Sequence, residues 1–375
     1  MSPATVARSS RLFALIAGGG SGGHVLPGIA VADALVARGH DHASIGFMGS
    51  SRGMEARLVP AAGYTPTLYE LSSFPRRITS RHLVAFAQLS KALVQGFAVV
   101  RRRRPSVVVS VGGYASLPGV VAAIVTRTPI VVVSYDAIPG RASLLAGRFA
   151  KQCAVAFDAA PLPRKVVTGA AIRNEILAVN RAADHDAACA KLGLPDNRLT
   201  LLVVGGSQGS GALNDAIDAF VAENRHRTDL AIRHVRGSRF DDGEHPALND
   251  SDGLIYQPVG YEDDMAAAYA AADVLLARSG ATTVFEVAAI GIASILVPWP
   301  DAAEDHQTAN ANALGKVGGA VVVPEREFSP VRLAAELERL SDPTVRNTIA
   351  AAATTVGHRD GAARIAAVVE DCSSS

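Results

Sequence analysis

The segment Leu12–Val36, with the sequence LFALIAGGGSGGHVLPGIAVADALV, decides the fold of the first half of the chain. Its apolar run, Leu12–Ala17, predicts a short buried strand, and Gly28–Val36 predicts an amphipathic helix. Between them lies the glycine-rich loop Gly18–His24. A strand, a loop and a helix in this order form the first βα unit of a doubly wound α/β domain.

This loop suits a ligand, because glycines without a Cβ let backbone amides approach closely and the helix start favours an anionic or sugar group. Gly18, Gly20 and Gly23 also satisfy G-x-G-x-x-G. A dinucleotide site would further need an acidic residue at the end of the second strand, which here ends in Gly49-Ser50, so an NAD site is disfavoured. At the mouth of the loop, the imidazole of His24 can accept a proton near neutral pH or can cap the loop structurally.

A second βα unit of the same kind begins in the middle of the chain. The apolar strand Leu199–Val204 is followed by the loop Gly205–Ser210 and by a helix that carries Leu213, Ile217 and Phe220. At 375 residues the chain exceeds what one hydrophobic core usually serves. Two α/β domains of somewhat under 200 residues each are therefore expected.

Composition narrows the classes of function. The net charge of +1 argues against a nucleic-acid partner, although the segment Leu71–Tyr135 contains no acidic residue. The three cysteines lie far apart and show no metal-ligand spacing, so a zinc site and a disulfide framework are not indicated, and a reducing, cytoplasmic setting fits. No apolar run approaches the roughly 20 residues that span a bilayer.

The segment Arg278–Asn312 carries the second candidate site. An apolar strand, Ala272–Leu276, leads through Ser279-Gly280 into a helix that contains Glu286. A carboxylate near a helix start can accept hydrogen bonds from the two hydroxyls of a ribose, while the helix N-terminus favours a diphosphate. A solvated helix glutamate is the alternative interpretation.

Several motifs in this order resemble those of the MurG family of glycosyltransferases (glycosyltransferase family 28). They are Gly19-Gly20-Ser21-Gly22-Gly23-His24, Gly112-Gly113-Tyr114, Gly205-Gly206-Ser207-Gln208-Gly209, and Ser279-Gly280 with Glu286 and Asp305–Ala311. The resemblance covers nearly the whole chain. It implies the GT-B architecture of the α/β class, in which two Rossmann-like doubly wound domains face each other across a cleft. The implied domains are 1–168, which binds acceptor and membrane, and 169–351, which binds the donor, with the C-terminal helix at about 352–375 packing back on the first; Pro343–Asp371 is expected to be one helix.

The resemblance also implies an activity. Members transfer N-acetylglucosamine from UDP-GlcNAc, with inversion, to an undecaprenyl-diphosphate-linked N-acetylmuramoyl pentapeptide, converting lipid I to lipid II in peptidoglycan synthesis. His24 would remove the proton from the acceptor hydroxyl. No cofactor is implied, and because the second phosphate loop has no Asp-x-Asp, no catalytic metal is expected. The expected location is the cytoplasmic face of the cell membrane, peripherally bound to an anionic lipid surface, with cell-wall synthesis proteins as possible partners.

Site residues follow from these motifs and from Val166–Arg173, which resembles the family's Thr-Gly-Asn-Pro-Val-Arg with two alanines in place of Asn-Pro. The residues implied to bind the donor are Ser21, Gly22, Arg173, Ser207, Gln208, Gly209, Glu286, Gln307 and Asn310. Those implied to bind the acceptor are Gly23, His24, Gly113, Tyr114 and Asp136. The chain departs from the family pattern where Val133-Ser134-Tyr135-Asp136 replaces His-Glu-Gln-Asn. A different lipid or secondary-metabolite acceptor, a UDP-GlcNAc 2-epimerase and a catalytically silent sugar-nucleotide-binding protein therefore remain as alternatives.

The start of the segment Leu71–Arg104 suits a membrane surface. Apolar and basic side chains alternate there over too short a span to fill a core, and the expected membrane contacts are Leu71, Phe74, Arg76, Arg77, Ile78 and Arg81. A solvated basic face is the alternative. The following helix carries large apolar residues at helical spacing, which predicts a core face formed by Leu83, Phe86, Leu89, Leu93, Phe97 and Val100.

Overall fold

The computed structural model describes residues 11–71, 81–206, 208–240, 243, 245–249 and 252–373, without the side chains of residues 81–83. Phe74, Arg76, Arg77, Ile78 and Ser207, and the side chains of Arg81 and Leu83, therefore lie outside the described residues. The chain divides into two compact units, 1–173 with 360–375, and 174–359.

Strands and helices alternate along both units. The elements before residue 174 are β1 (Ala14–Gly18), α1 (Gly22–Ala37), β2 (Ile45–Ser50), α2 (Glu55–Ala61), β3 (Pro66–Tyr69), α3 (Arg81–Arg103), β4 (Val107–Gly112), α4 (Leu117–Thr126), β5 (Ile130–Ser134), α5 (Arg141–Phe149), β6 (Gln152–Val155) and β7 (Lys165–Val167). The elements of the second unit are α6 (Asn174–Leu177), α7 (Arg181–Leu192), β8 (Leu199–Val204), α8 (Gly211–Glu223), β9 (Leu230–Val235), β10 (Leu248–Asn249), β11 (Ile255–Val259), α9 (Met265–Ala271), β12 (Val274–Ala277), α10 (Ala281–Ile290), β13 (Ala293–Leu296), α11 (His306–Gly315), β14 (Val321–Val322), α12 (Pro330–Leu340) and α13 (Pro343–Thr354). The last helix, α14 (Gly361–Ser373), belongs to the first unit.

Each unit contains a seven-stranded sheet, ordered β3-β2-β1-β4-β5-β6-β7 in the first and β10-β11-β9-β8-β12-β13-β14 in the second. All pairings are parallel except that of β10 with β11. The central strands are buried apolar runs such as VVVSVG in β4, as expected when helices cover both faces of a parallel sheet. The strand order reverses between β1 and β4 and again between β8 and β12, and ligands of doubly wound sheets bind at the carboxyl ends of such strands.

Helix α1 begins at Gly22, earlier than the predicted start at Gly28. Glycine and proline disfavour a helix interior, so the sequence pattern pointed to a later start. Pro27 has no N–H to donate to the carbonyl of Gly23, but the loss falls near the helix start and the helix continues through it. The earlier start places His24 in the first turn of α1.

The buried face of α3 is formed by its small residues. Ala85, Ala92 and Gly96 are buried, and a Cβ built on Gly96 would lie 2.7 Å from the carbonyl oxygen of Pro118 in α4. The predicted core face is therefore wrong for Phe86, which is 65% exposed, and confirmed for Val100, which is buried.

Leu71 was expected to contact a membrane, but its side chain is 1% exposed and packs in the core of the first unit. The expectation for Leu71 is therefore wrong. Among the residues that the structure describes, no helix has the length and hydropathy needed to cross a bilayer.

The predicted helix Pro343–Asp371 is two helices, α13 and α14. Two glycines mark the break. A Cβ on Gly357 would lie 2.6 Å from the carbonyl oxygen of Ala288, and a Cβ on Gly361 would overlap the carbonyl of Ala170. α13 ends at Thr354 and α14 begins at Gly361, so Gly357 lies within the break and Gly361 at its end. Glu370 in α14 then pairs with Arg38 at 2.6 Å, beyond the end of α1.

Candidate functional site

Two glycine loops meet at the carboxyl edge of the first sheet. The loop after β1 contains Gly18, Gly19 and Gly20 at φ values of 153°, 147° and 96°, which L side chains rarely adopt. The loop after β4 contains Gly113 at φ 73°. A Cβ on Gly113 would overlap the carbonyl oxygen of Gly19, so the two loops touch through their backbones.

His24 projects from the first turn of α1 and is half-buried. Ser21 occupies the N-cap position, but its side chain makes no capping bond; instead Ser21 Oγ lies 2.9 Å from His24 Nδ1. If Nδ1 carries the proton and donates it to Ser21 Oγ, the lone pair of the neutral ring is on Nε2. In this tautomer the imidazole can accept a proton at Nε2.

The second loop and helix α5 surround the other side of this imidazole. A Cβ built on Gly112 would lie 3.2 Å from both His24 Nε2 and Ser143 Oγ. Ser143 is buried in the first turn of α5, and no motif in the sequence singled it out. Ser143 Oγ and His24 Nε2 therefore both border Gly112 at this edge of the sheet.

Tyr114 follows the second loop and packs on the first. Its ring carbon Cε1 would lie 3.3 Å from a Cβ on Gly20. Burial is the main cause that raises the pKa of Tyr114, so its hydroxyl is a neutral donor near neutral pH. Of the residues predicted to bind the acceptor, Gly23, His24, Gly113 and Tyr114 therefore lie together, and Asp136 follows the neighbouring strand β5 and is half-buried.

Glu55 lies beneath the first loop and was not found from the sequence. Its carboxylate, 2% exposed, accepts hydrogen bonds from the backbone N–H of Gly20 at 2.8 Å and of Ser50 at 2.6 Å. A dinucleotide site would have an acid at the end of β2, whereas this one begins α2. Its contact with the loop depends on the turn between those two elements.

In the second unit, the glycine loop after β8 leads into α8. Ser210 caps this helix, since its Oγ accepts from the N–H of Leu213 at 3.4 Å. Gln208 is exposed and Gly209 is half-buried, at φ 77°. These two predicted donor residues therefore stand at a helix N-terminus that is open to an anionic group.

Arg278 is 7% exposed and contacts the loops that follow β8, β13 and β14 in the second sheet. Its guanidinium donates to Ser210 Oγ at 2.7 Å, to the carbonyl of Val297 at 3.1 Å and to that of Pro298 at 3.2 Å, and it also pairs with Glu325. The motif containing Arg278 was noticed in the sequence, but this clamping role was not.

The remaining predicted donor residues differ in their accessibility. Gln307 is half-buried, and its Oε1 accepts from the N–H of Trp299 at 3.0 Å, so the donor group of this amide is Nε2. Glu286 is 4% exposed and accepts from the hydroxyl of Tyr269 at 2.9 Å. Asn310 has no exposed surface and donates to the carbonyl of Ser279 at 3.3 Å, so in this conformation its side chain is not available to a donor.

The predicted donor residues are divided between the two units. Ser21, Gly22 and Arg173 belong to the first unit, and Gln208, Gly209, Glu286, Gln307 and Asn310 belong to the second. Arg173, the last residue of the first unit before α6, is half-buried.

Comparison with known proteins assigns the family. The N-terminal domain model of glycosyltransferase family 28 matches residues 14–155, and its C-terminal domain model matches residues 200–365. A relative from Clavibacter michiganensis subsp. michiganensis is 39% identical over 359 residues, which cover 95% of each chain. The chain belongs to the MurG family within glycosyltransferase family 28.

The relatives in this family share a name and match this chain over most of its length. The relative from Clavibacter and one from Cutibacterium acnes, 39% identical over 90% of this chain and 91% of its own, are both named UDP-N-acetylglucosamine--N-acetylmuramyl-(pentapeptide) pyrophosphoryl-undecaprenol N-acetylglucosamine transferase. The crystal structure of Acinetobacter baumannii MurG matches 96% of this chain and 99% of its own, with a TM-score of 0.71 and 26% sequence identity. The expected GT-B fold class of two doubly wound domains is therefore confirmed, and the chain is a hexosyltransferase of this family.

Proposed function

We propose that the chain transfers N-acetylglucosamine from UDP-GlcNAc to an undecaprenyl-diphosphate-linked N-acetylmuramoyl pentapeptide, with inversion at the anomeric carbon. The observation that carries this proposal is the contact between Ser21 Oγ and His24 Nδ1, 2.9 Å apart at the carboxyl edge of the first sheet. It is supported by the similarity, over 95% of this chain, to a relative named as an undecaprenol-linked N-acetylmuramyl-(pentapeptide) N-acetylglucosamine transferase. The first unit would bind the acceptor and the membrane, and the second would bind the donor.

In the proposed reaction His24 Nε2 takes the proton from the acceptor hydroxyl. The acceptor oxygen forms a bond to the anomeric carbon as the bond from that carbon to the UDP oxygen breaks, and attack from the face opposite UDP inverts the configuration. The released diphosphate carries the developing negative charge. The N-terminus of α8 and the loop that includes Gln208 and Gly209 are suited to stabilise it electrostatically, with Arg173 as a further cation.

The proposed membrane contact rests on helix α3 rather than on Leu71. Val84, Phe86 and Val94 are 59%, 65% and 70% exposed on this helix, which also carries Lys91. Apolar side chains that remain exposed among basic residues are suited to an anionic bilayer surface. This supports a peripheral location at the cytoplasmic face of the cell membrane, where other cell-wall synthesis proteins would be partners.

The altered loop Val133–Asp136 bears on which acceptor the chain uses. Ser134 and Tyr135 are both buried at the end of β5, where the family pattern has Glu and Gln. Burial raises the pKa of Tyr135, which keeps its hydroxyl neutral. Asp136 is the acidic residue of this loop, and its side chain is half-buried.

The test is UDP release from UDP-GlcNAc with a soluble lipid I analogue, compared between the wild type and His24→Ala. We expect release that depends on the acceptor and falls about 10²- to 10⁴-fold in the variant, the usual contribution of a positioned base. Unchanged release in His24→Ala would remove the assigned base. Release with a different polyprenyl-linked or small-molecule acceptor, but not with the lipid I analogue, would overturn the proposed acceptor and leave the transferase activity.

A further inference from the structure

Glu55 is a buried carboxylate held by two segments of the first unit. It is the first residue of α2 and is 2% exposed. Its Oε1 accepts from the N–H of Ser50 at the end of β2, at 2.6 Å, and its Oε2 accepts from the N–H of Gly20, at 2.8 Å. Taking a carboxylate out of water is costly unless it is well hydrogen-bonded, and here each carboxylate oxygen accepts from a backbone N–H.

Three glycines make room for this carboxylate. A Cβ on Gly49 would lie 2.7 Å from Glu55 Cγ, and a Cβ on Gly19 or Gly53 would overlap the carboxyl group itself. The three glycines come from the loop after β1, from β2 and from the turn before α2. The cavity between these segments therefore fits the Glu55 carboxylate closely and would not accept a side chain at any of the three positions.

The loop that Glu55 anchors is the loop that carries the imidazole. Gly20 precedes Ser21, and Ser21 Oγ contacts His24 Nδ1 at 2.9 Å. His24 and Glu55 also line one small pocket together with Gly18 and Gly49. The Tyr114 ring packs on Gly20, and the charge of Glu55 adds to burial in raising the pKa of Tyr114.

We infer that Glu55 is a positioning residue for catalysis, which fixes the Gly20 amide and thereby holds the Ser21–His24 pair in its reactive orientation. This inference rests on the proposed function and adds to it a residue that does not touch either substrate. The loop has three glycines at positive φ, so its own backbone restrains its conformation only weakly. A fixed hydrogen bond at Gly20 supplies the restraint.

Glu55→Gln is the informative substitution because it keeps the shape of the side chain and replaces one of its two acceptor oxygens with an NH2 group. The glutamine Oε1 can accept one N–H, but its NH2 group must then face the other N–H, donor against donor. One buried amide loses its partner while the volume of the cavity stays filled. Asp33→Asn is the matched control, since Asp33 lies on α1 and accepts from the Tyr64 hydroxyl at 2.7 Å, away from the loop.

The experiment measures acceptor-dependent UDP release for the full chain in the wild type, Glu55→Gln, His24→Ala and the double variant. We expect Glu55→Gln to lower kcat about 10- to 100-fold, because small misplacement of a catalytic group costs about this much. The KM for UDP-GlcNAc should stay within about two-fold, since most of the predicted donor-binding residues belong to the second unit. In the His24→Ala background the same substitution should have little further effect, and Asp33→Asn should leave kcat unchanged.

Hydrogen exchange of the peptide that contains Gly20 gives a readout that does not depend on activity. We expect faster exchange there in Glu55→Gln, with circular dichroism unchanged; if Glu55→Gln does not fold, Glu55→Asp, which keeps the charge but is one methylene shorter, replaces it in the same assays. A kcat within about two-fold of the wild type, or an equal loss in the wild-type and His24→Ala backgrounds, would overturn the inference. A wild type that releases no UDP with any acceptor would instead reject the proposed function, while unchanged exchange at both Gly20 and Ser50 would separately reject the anchoring by Glu55.

Discussion

The Ser21–His24 hydrogen bond can be tested by Ser21→Ala, which removes the hydroxyl 2.9 Å from Nδ1 and leaves the imidazole in place. A single exposed hydrogen bond is worth about 1 kcal/mol net, which corresponds to about a five-fold lower kcat if the bond is needed in the transition state. This loss is far smaller than the roughly 10²- to 10⁴-fold loss expected when the base itself is removed. Ser21→Thr keeps a hydroxyl and should restore most of the activity.

The assay is acceptor-dependent UDP release at saturating concentrations of both substrates, with the KM for UDP-GlcNAc measured in parallel. If Ser21 orients His24, kcat falls and this KM stays constant; if Ser21 binds the donor, as the family resemblance implies, KM rises. A Ser21→Ala enzyme as impaired as His24→Ala, or one with wild-type kcat, would refute the proposal that the Ser21 hydroxyl orients the His24 imidazole.

Three further predictions concern stability and the membrane. Arg278→Met should lower the free energy of unfolding by about 1–3 kcal/mol in urea titrations, because it leaves Ser210 Oγ and the carbonyls of Val297 and Pro298 without this donor; an unchanged midpoint would contradict the clamp. Phe86→Ser with Val94→Ser should reduce co-sedimentation with anionic vesicles without changing the melting temperature, whereas Val331→Ser, 76% exposed in the second unit, should have no effect. Burial, followed by the charge of Arg236, lowers the pKa of His234 to about 3, so the unfolded chain binds a proton below about pH 6.5 that the folded chain does not. Stability should thus be fully present above pH 6.5 and fall by about 2 kcal/mol at pH 5, and His234→Gln should remove this part of the pH dependence.

The repeated strand, glycine loop and helix could be predicted because each lies in one short stretch of sequence. The loop that presents His24 and the loop before Ser210 are at the ends of the strands where the pattern placed them. The local signals were less informative for helix bounds. At the start of α1 the glycines and Pro27 concealed six further residues of helix, from Gly22 to Pro27, since propensity is overridden there by the fold.

Residues that act through distant contacts could not be found in the same way. Glu55 reaches Gly20 across 35 positions of sequence, and Arg278 reaches Ser210 across 68. Neither contact has a fixed spacing that a motif could record. The face of α3 was misjudged for a related reason, since the large residue Phe86 suggested a core while the close packing of Gly96 on Pro118 selected the small-residue face.

The most direct test of the proposed transfer is the identity of the product formed from UDP-GlcNAc and the lipid I analogue. Mass spectrometry should show an acceptor heavier by one N-acetylhexosamine, and the anomeric proton coupling in nuclear magnetic resonance should show the β-linkage that inversion of the α-linked donor requires. An unmodified acceptor with release of free sugar or its 2-epimer, or an α-linked product, would contradict the account.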